Sequence, residues 1–182
     1  MLTMTQEVHI DREAARVIVA EELEALRLAI ISNMQRAGEV ASGRTIDSLH
    51  VESTEQEGTL FGRAYFGVLE TGRKGGRVPR GFAQIIYKWM QDKGVHADPI
   101  PYVRAGAHKY SPQERGDRSM AAAIAAKIRK EGTRLYRTGG RADIYSNEIP
   151  RTVERIRHRL VFLINQAITS IPLNRATNIG GK

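Results

Sequence analysis

Residues 69–92 read LETGRKGGRVPRGFAQIIYKWMQD, two kinds of segment back to back. Leu69–Gly81 places Gly72, Gly75, Gly76 and Gly81 among Arg73, Lys74, Arg77 and Arg80. Glycine opens backbone conformations that other residues avoid. Four cations with no acid between them stay solvated or meet an anionic partner. Pro79 disfavours helix at Val78 and favours a helix start just after itself. Phe82, Ile85, Ile86, Trp89 and Met90 then fall at i, i+3, i+4, i+7 and i+8, which predicts a helix over Phe82–Asp92 with Trp89 as a core anchor. Gln84, Lys88, Gln91 and Asp92 take the other face, and Gly94 is the stop.

Upstream, Ala15, Val19, Leu23, Leu26, Ile30 and Met34 make one stripe, so Asp11–Arg36 reads as a long helix capped by Asp11 and closed before Gly38. Glu21, Glu22 and Glu24 are expected on its solvated outer face. Ser42–Leu49 reads as a short helical turn or loop. Leu49–Glu55 and Thr59–Val68 read as two strands of an antiparallel hairpin around Gln56–Gly58.

Downstream, Pro99, Pro101 and Pro112 predict a long surface excursion over 95–117, with a short strand near Ile100–Val103. Met120–Glu131 reads as a helix capped by Asp117 or Ser119. Gly139–Gly140 marks a turn. A closing helix follows from Asn147 or Ser146, with Pro150 in its first turn and Ile149, Val153, Ile156, Leu160, Leu163, Ala167 and Ile171 on one side. It also carries Arg151, Arg155 and Arg159 at i, i+4 and i+8, a like-charged stripe that weakens a helix unless a partner meets it; the alternative is a solvated face.

The 182 residues fit one α+β domain: a small antiparallel sheet with a long N-terminal and a long C-terminal helix packed on it, plus two shorter helices. Residues 1–10 show no clear periodicity and are expected to form an arm, and 173–182 a flexible tail. No cysteine is present, which removes thiol catalysis and thiolate metal sites. No apolar run reaches the ~18 residues of a membrane span. The polar, acidic start argues against a signal peptide.

The net charge of +8 is split. Residues 1–60 hold 5 basic against 11 acidic residues, −6, and residues 61–182 hold 23 against 9, +14. Such a chain can bind nucleic acid through its basic part, or another protein or its own copies acidic face to basic face.

Chemistry-bearing motifs are lacking. His9, His50, His96, His108 and His158 have no histidine at i+3 or i+4, so no metal site is expected. The glycine loop lacks Gly-Lys-Ser/Thr and is no P-loop, and no G-x-G-x-x-G follows the strand. Asp92 with Asp98, or Glu114 with Asp117, are candidate carboxylate pairs with nothing in the sequence to raise a pKa. No cofactor, small-molecule substrate or catalysis is expected. For DNA, the loop cations suit phosphates, and Tyr87 or Tyr102 suit stacking on bases, without any helix–turn–helix or zinc finger.

The order of elements, with Phe66, Leu69, Glu70, Gly72 and Arg73, then Pro79, Ile86, Trp89, Lys93 and Gly94, then Ile124, Ala125, Lys127, Ile128, Glu131, Gly132 and Thr133, resembles the head–tail connector and tail-completion (neck) proteins of tailed bacteriophages, including forms from phages and prophages of Bacteroidota. The resemblance spans roughly residues 10–170. It departs at Val95–Asp117, which is longer, and at Tyr136–Glu148, which has no counterpart. It implies a virion structural protein at the head–tail junction, made in the bacterial host cytoplasm. Such a protein is a subunit of a closed homo-oligomeric ring joining portal or adaptor to tail, with DNA in its lumen. Arg73, Lys74, Arg77 and Arg80, with Arg151, Arg155 and Arg159, are the candidates for contact with acidic protein surface or DNA. The runner-up is a non-specific DNA-binding or packaging accessory protein.

Overall fold

A computed structural model describes residues 11–104 and 106–170; the arm 1–10, the tail 173–182 and Ile171 lie outside them. Helix α1 (Arg12–Arg36) starts where the Asp11 carboxylate accepts the Ala14 N–H at 3.0 Å. Its buried stripe is Leu26, Ile30 and Met34. Helix α2 (Arg44–Asp47) is one turn. Strands β1 (His50–Ser53) and β2 (Gly58–Phe61) pair antiparallel in the register His50–Phe61 to Ser53–Gly58. A side chain at Gly58 would put its Cβ 2.5 Å from Val19 and 2.9 Å from Leu23, so the hairpin lies flush on α1.

The second strand is shorter than the predicted Thr59–Val68. It stops at Phe61 because its partner stops at His50, just after Leu49, which is buried in the core. The aromatic run instead turns through Arg63–Gly67 into helix α3 (Val68–Thr71), bringing Phe66 and Leu69 onto the core of Leu26, Ile30, Met34, Leu49 and Ile144.

Helix α4 (Phe82–Lys93) runs between two left-handed glycines, Gly81 and Gly94. Its inward residues are Ile86, Tyr87 and Met90, the last fully buried, against Ala121 and Ala125 of helix α5 (Pro112–Glu131). Trp89 is not the core anchor: it is 42% exposed. The contact line follows the small alanines, which rotate α4 by about one residue and seat Tyr87 where Ile85 and Trp89 were expected.

α5 begins eight residues before its predicted start. Ser111 is the cap, accepting the Glu114 N–H at 3.1 Å, and Pro112 sits in the first turn, where it has no helical hydrogen bond to lose. Asp117, expected as a cap, is instead buried inside the helix. It accepts the Ala97 N–H at 2.7 Å and Gln113 Nε2 at 3.1 Å, with His96 Nδ1 at 3.1 Å. Gly116 lets the chain at Asp98 cross, since its Cβ would stand 2.1 Å from the Asp98 carbonyl oxygen. The excursion therefore ends at Ser111, and among the described residues it holds no strand at 100–103.

Helix α6 (Arg134–Arg137) and the Gly139–Gly140 turn lead to helix α7 (Glu148–Thr169), with Pro150 in its first turn. α7 lies antiparallel on α1: Ile149 shares a cavity with Leu26 and Ile30, and Phe162 and Leu163 one with Ile18. Thr152 is buried and Ile156, Leu160, Leu163 and Ala167 are partly covered, while Ile149 and Val153 stay exposed. The architecture is α+β as expected; α2 is the short turn expected within Ser42–Leu49, and the single-turn helices α3 and α6 are added.

Glu70, only 3% exposed, joins these parts. One carboxylate oxygen accepts the N–H groups of Ile144, Tyr145 and Ser146 at 2.9, 2.7 and 3.0 Å; the other accepts the Ser146 hydroxyl. Burial raises this carboxyl's pKa, but the bonds from Ser146, Tyr145 and Ile144 outweigh it and hold it below the ordinary 4.5. A depressed folded pKa gives stability that is present above the unfolded value and lost as pH falls through the folded one. Glu70→Ala is expected to cost about 3 kcal/mol in denaturant unfolding at pH 7, leaving the buried Ile144 N–H and the part-buried N–H groups of Tyr145 and Ser146 without their acceptor. Glu70→Gln is expected to cost less, and its gap to the natural chain to narrow as pH drops below about 4.5.

Candidate interaction surface

The loop 72–81 is docked on the C-terminal end of α5. Arg73 N–H donates to Thr133 Oγ1 at 2.9 Å, Thr133 N–H returns to the Arg73 carbonyl at 2.8 Å, and Gly76 N–H donates to the Arg129 carbonyl at 2.7 Å. The last carbonyls of a helix lack intrahelical partners, and here a loop supplies one. The approach is backbone on backbone. A Cβ at Gly72 would stand 2.3 Å from the Tyr136 nitrogen, and one at Gly132 (φ 81°) 2.6 Å from the Arg73 oxygen.

Arg73 belongs to the loop's own structure. Its Nη2 donates to the Arg77 carbonyl at 2.6 Å, its guanidinium lies 5.5 Å from the centre of the Phe82 ring, and its Nε is buried without a partner. Lys74, Arg77 and Arg80 are exposed, and no ion pair holds any of them among the described residues. Docking at Gly75 and Gly76 sets Lys74 and Arg77 beside Arg129 and Lys130, which with Lys127 and Arg134 are also exposed and without an ion pair among the described residues; Arg137 pairs with Glu131 at 3.1 Å. The run AKIRKEGTR is visibly basic in the sequence, but only the contact at Gly76 and Gly132 merges it with the loop.

The arginines of α7 divide differently. Arg155 Nε donates to Glu22 at 2.7 Å, and Arg159 reaches Glu22 at 3.1 Å and Glu21 at 2.6 Å. Glu22 is 8% exposed, so it is not on a solvated face. The hydrogen bond from Arg155 leads in lowering its pKa, against the upward push of burial. These two arginines form a seam between helices. Arg151 is mostly exposed and meets Glu148 at 3.3 Å.

The residues proposed for stacking on bases are also occupied. Tyr87 is buried under the Arg118 guanidinium, and Tyr102 stacks on His108 with ring centres 3.5 Å apart, Arg115 covering it. Of the carboxylate pairs, Glu114 bonds Arg118 and Asp117 is held below its usual pKa, first by the Ala97 N–H. Among the described residues, no three His, Cys, Asp or Glu side chains come together to hold a metal ion, and no helix is long and apolar enough to cross a membrane.

Beside the basic cluster lies a groove of about 570 Å³ between α4, α5 and α6. Ile86, Ile124, Ile128 and Leu135 floor it, Trp89 walls it, and Lys127, Arg134, Arg137 and Glu39 supply its charged lining. Trp89 also borders a second cavity, with Met34 and Glu39 at the C-terminal end of α1. Lys93 Nζ donates to the Gly38 carbonyl at that same end. The hairpin tip, with exposed Glu52, Glu55 and Glu57, lies at the other end, where Ser53 Oγ donates to the Arg16 carbonyl at 3.5 Å. At 1.5 Å per residue, the 25-residue α1 separates the two poles by on the order of 35 Å.

No family model matches this chain, and no curated protein or solved structure matches it. Gly132→Ala tests the docking of the loop. The left-handed backbone and the close Arg73 carbonyl are expected to cost about 2 kcal/mol in stability. Hydrogen exchange at the Gly76 and Thr133 amides is expected to quicken more than exchange in α1.

Proposed function

We propose that this chain is a virion structural protein: a subunit of a closed ring in the neck of a tailed phage, between portal or adaptor and tail. The resemblance of residues 10–170 to neck proteins supports this reading. The observation that carries it is the placement of charge. Exposed Glu52, Glu55 and Glu57 stand at one end of α1; toward the other stand Lys74, Arg77 and Arg80, which have no ion pair among the described residues and outnumber the exposed acids Asp47 and Asp92 there. A body with opposite charges at opposite ends joins its copies head to tail, and such a heterologous contact closes into a ring when its rotation divides the circle. Lys74, Arg77 and Arg80 then face the acidic hairpin tip of the next subunit, and cations left over face the lumen and its DNA.

The exposed cluster of Lys74, Arg77, Arg80, Arg129 and Lys130 also favours a second reading, a DNA-binding packaging accessory. Its mark is a log–log salt slope of about 0.9 per phosphate neutralised.

Sedimentation of the full chain across concentration and salt tests the first reading. Reversal of Lys74, Arg77 and Arg80 to Glu together is expected to weaken self-association at least about tenfold, since three lost pairs at about 0.5–1 kcal/mol each exceed the 1.4 kcal/mol of one decade. Antibody against the chain is expected to label the head–tail junction of particles. Absent label, together with tight, salt-steep DNA binding, would put the second reading first.

A further inference from the structure

We propose that the groove walled by Trp89 receives residues 1–10 of a neighbouring copy, so that the ring is tied by an exchanged N-terminal arm. The inference rests on the ring reading and names its joint.

The groove is the right kind of site. Its floor is four aliphatic side chains, its wall the chain's single tryptophan, and its volume of about 570 Å³ lies within the range of sites that enclose a ligand. A tryptophan left 42% exposed over such a floor is a large apolar surface with nothing on it among the described residues. Of the charged residues lining it, Glu39 is paired with Arg141 and Arg137 with Glu131, so Lys127 and Arg134 call for an occupant that is apolar and, where charged, acidic.

Two terminal segments of this chain lie outside the described residues, and their chemistry separates them. Residues 1–10, MLTMTQEVHI, carry Leu2, Met4, Val8 and Ile10, one acid in Glu7 and no Lys or Arg. Leu2 and Met4 are two apart, as are Val8 and Ile10, so an extended chain turns each pair to one face. Residues 171–182, IPLNRATNIGGK, carry Arg175 and Lys182 and no acid, the same sign as the rim.

Distance decides between a chain's own groove and its neighbour's. The arm leaves from Asp11, at the acidic pole, while Trp89 stands near Met34 at the far end of α1. The span is about 35 Å along the helix. Ten extended residues reach at most about 33–36 Å, which leaves no slack to round the fold. In a head-to-tail ring the next copy's basic pole, groove included, comes to the root of the arm.

The chain has no cysteine, which permits a clean test. Full-length Leu2→Cys and full-length Lys127→Cys are mixed and oxidised, and the chain carrying both substitutions is oxidised separately. The expected result is a disulfide-linked dimer of one variant with the other, together with a blue shift of Trp89 emission on assembly. Leu2→Asp with Met4→Asp is expected to abolish that shift and weaken assembly at least tenfold. A cross-link only within the monomeric double variant overturns the exchange in favour of a chain's own groove. Normal rings without any cross-link overturn the groove assignment and leave the ring reading standing. A chain that stays monomeric and uncross-linked overturns both.

Discussion

One buried carboxylate holds the fold at its crossing point. Among the described residues no arginine or lysine bonds Glu70; three successive backbone N–H groups and a hydroxyl of residues 144–146 compensate its charge. Around it, Arg141 N–H donates to the Glu70 carbonyl at 2.9 Å, and Asn33 of α1 donates to the Ile144 carbonyl at 3.0 Å. Ile144 is thereby fully buried against α1, and α7 leaves this point in the direction that lays it back along α1. The same short helix that carries Glu70 is the root of the loop 72–81. The lock that sets the entry of α7 therefore also sets where that loop begins.

The second lobe depends on small residues rather than on a polar lock. Ala121 and Ala125 let α4 approach closely enough to bury Met90 and Tyr87. This close pairing excludes Trp89, and the bulk left over becomes the wall of a groove. Asp117 turns the strap at Ala97 across α5, and the loop 72–76 covers the far end of the same helix. α5 thus gains partners at both ends, and its last turns carry a concentration of positive charge that sits well at a helix C-terminus.

The acids and bases of the chain do two jobs. Glu21 and Glu22 meet Arg159 and Arg155 inside, at a partly covered seam where geometry makes an ion pair specific. Glu52, Glu55 and Glu57 at one pole and Lys74, Arg77, Arg80 and their neighbours at the other have no such internal use among the described residues, His50 near Glu52 apart. The neck-ring reading rests on that second group. Charge kept exposed and sorted by sign steers association, where charge paired inside steers folding.

Much of this was legible in the amino-acid sequence because it is local. The period of Leu26, Ile30 and Met34, the cap at Asp11, the glycines closing α4 and α5, and Pro150 at the head of α7 each act within a turn or two of helix. The hairpin and the charge split between residues 1–60 and 61–182 were legible for the same reason. Even the missed start of α5 had a local signal, the Ser111-x-x-Glu114 cap before a proline. What the tertiary structure alone decided is which of two chemically similar residues was used for what. Arg155 and Arg159 are paired because antiparallel packing brings Glu22 within reach, while Arg77 and Arg80 are not. Trp89 is exposed and Tyr87 buried because the alanines of a helix some thirty residues away set the line of contact. Glu70 is buried because residues 144–146 bring it four hydrogen bonds. Periodicity registers which face of a helix is apolar; the partner that chooses within that face comes from distant chain, and nothing local specifies it.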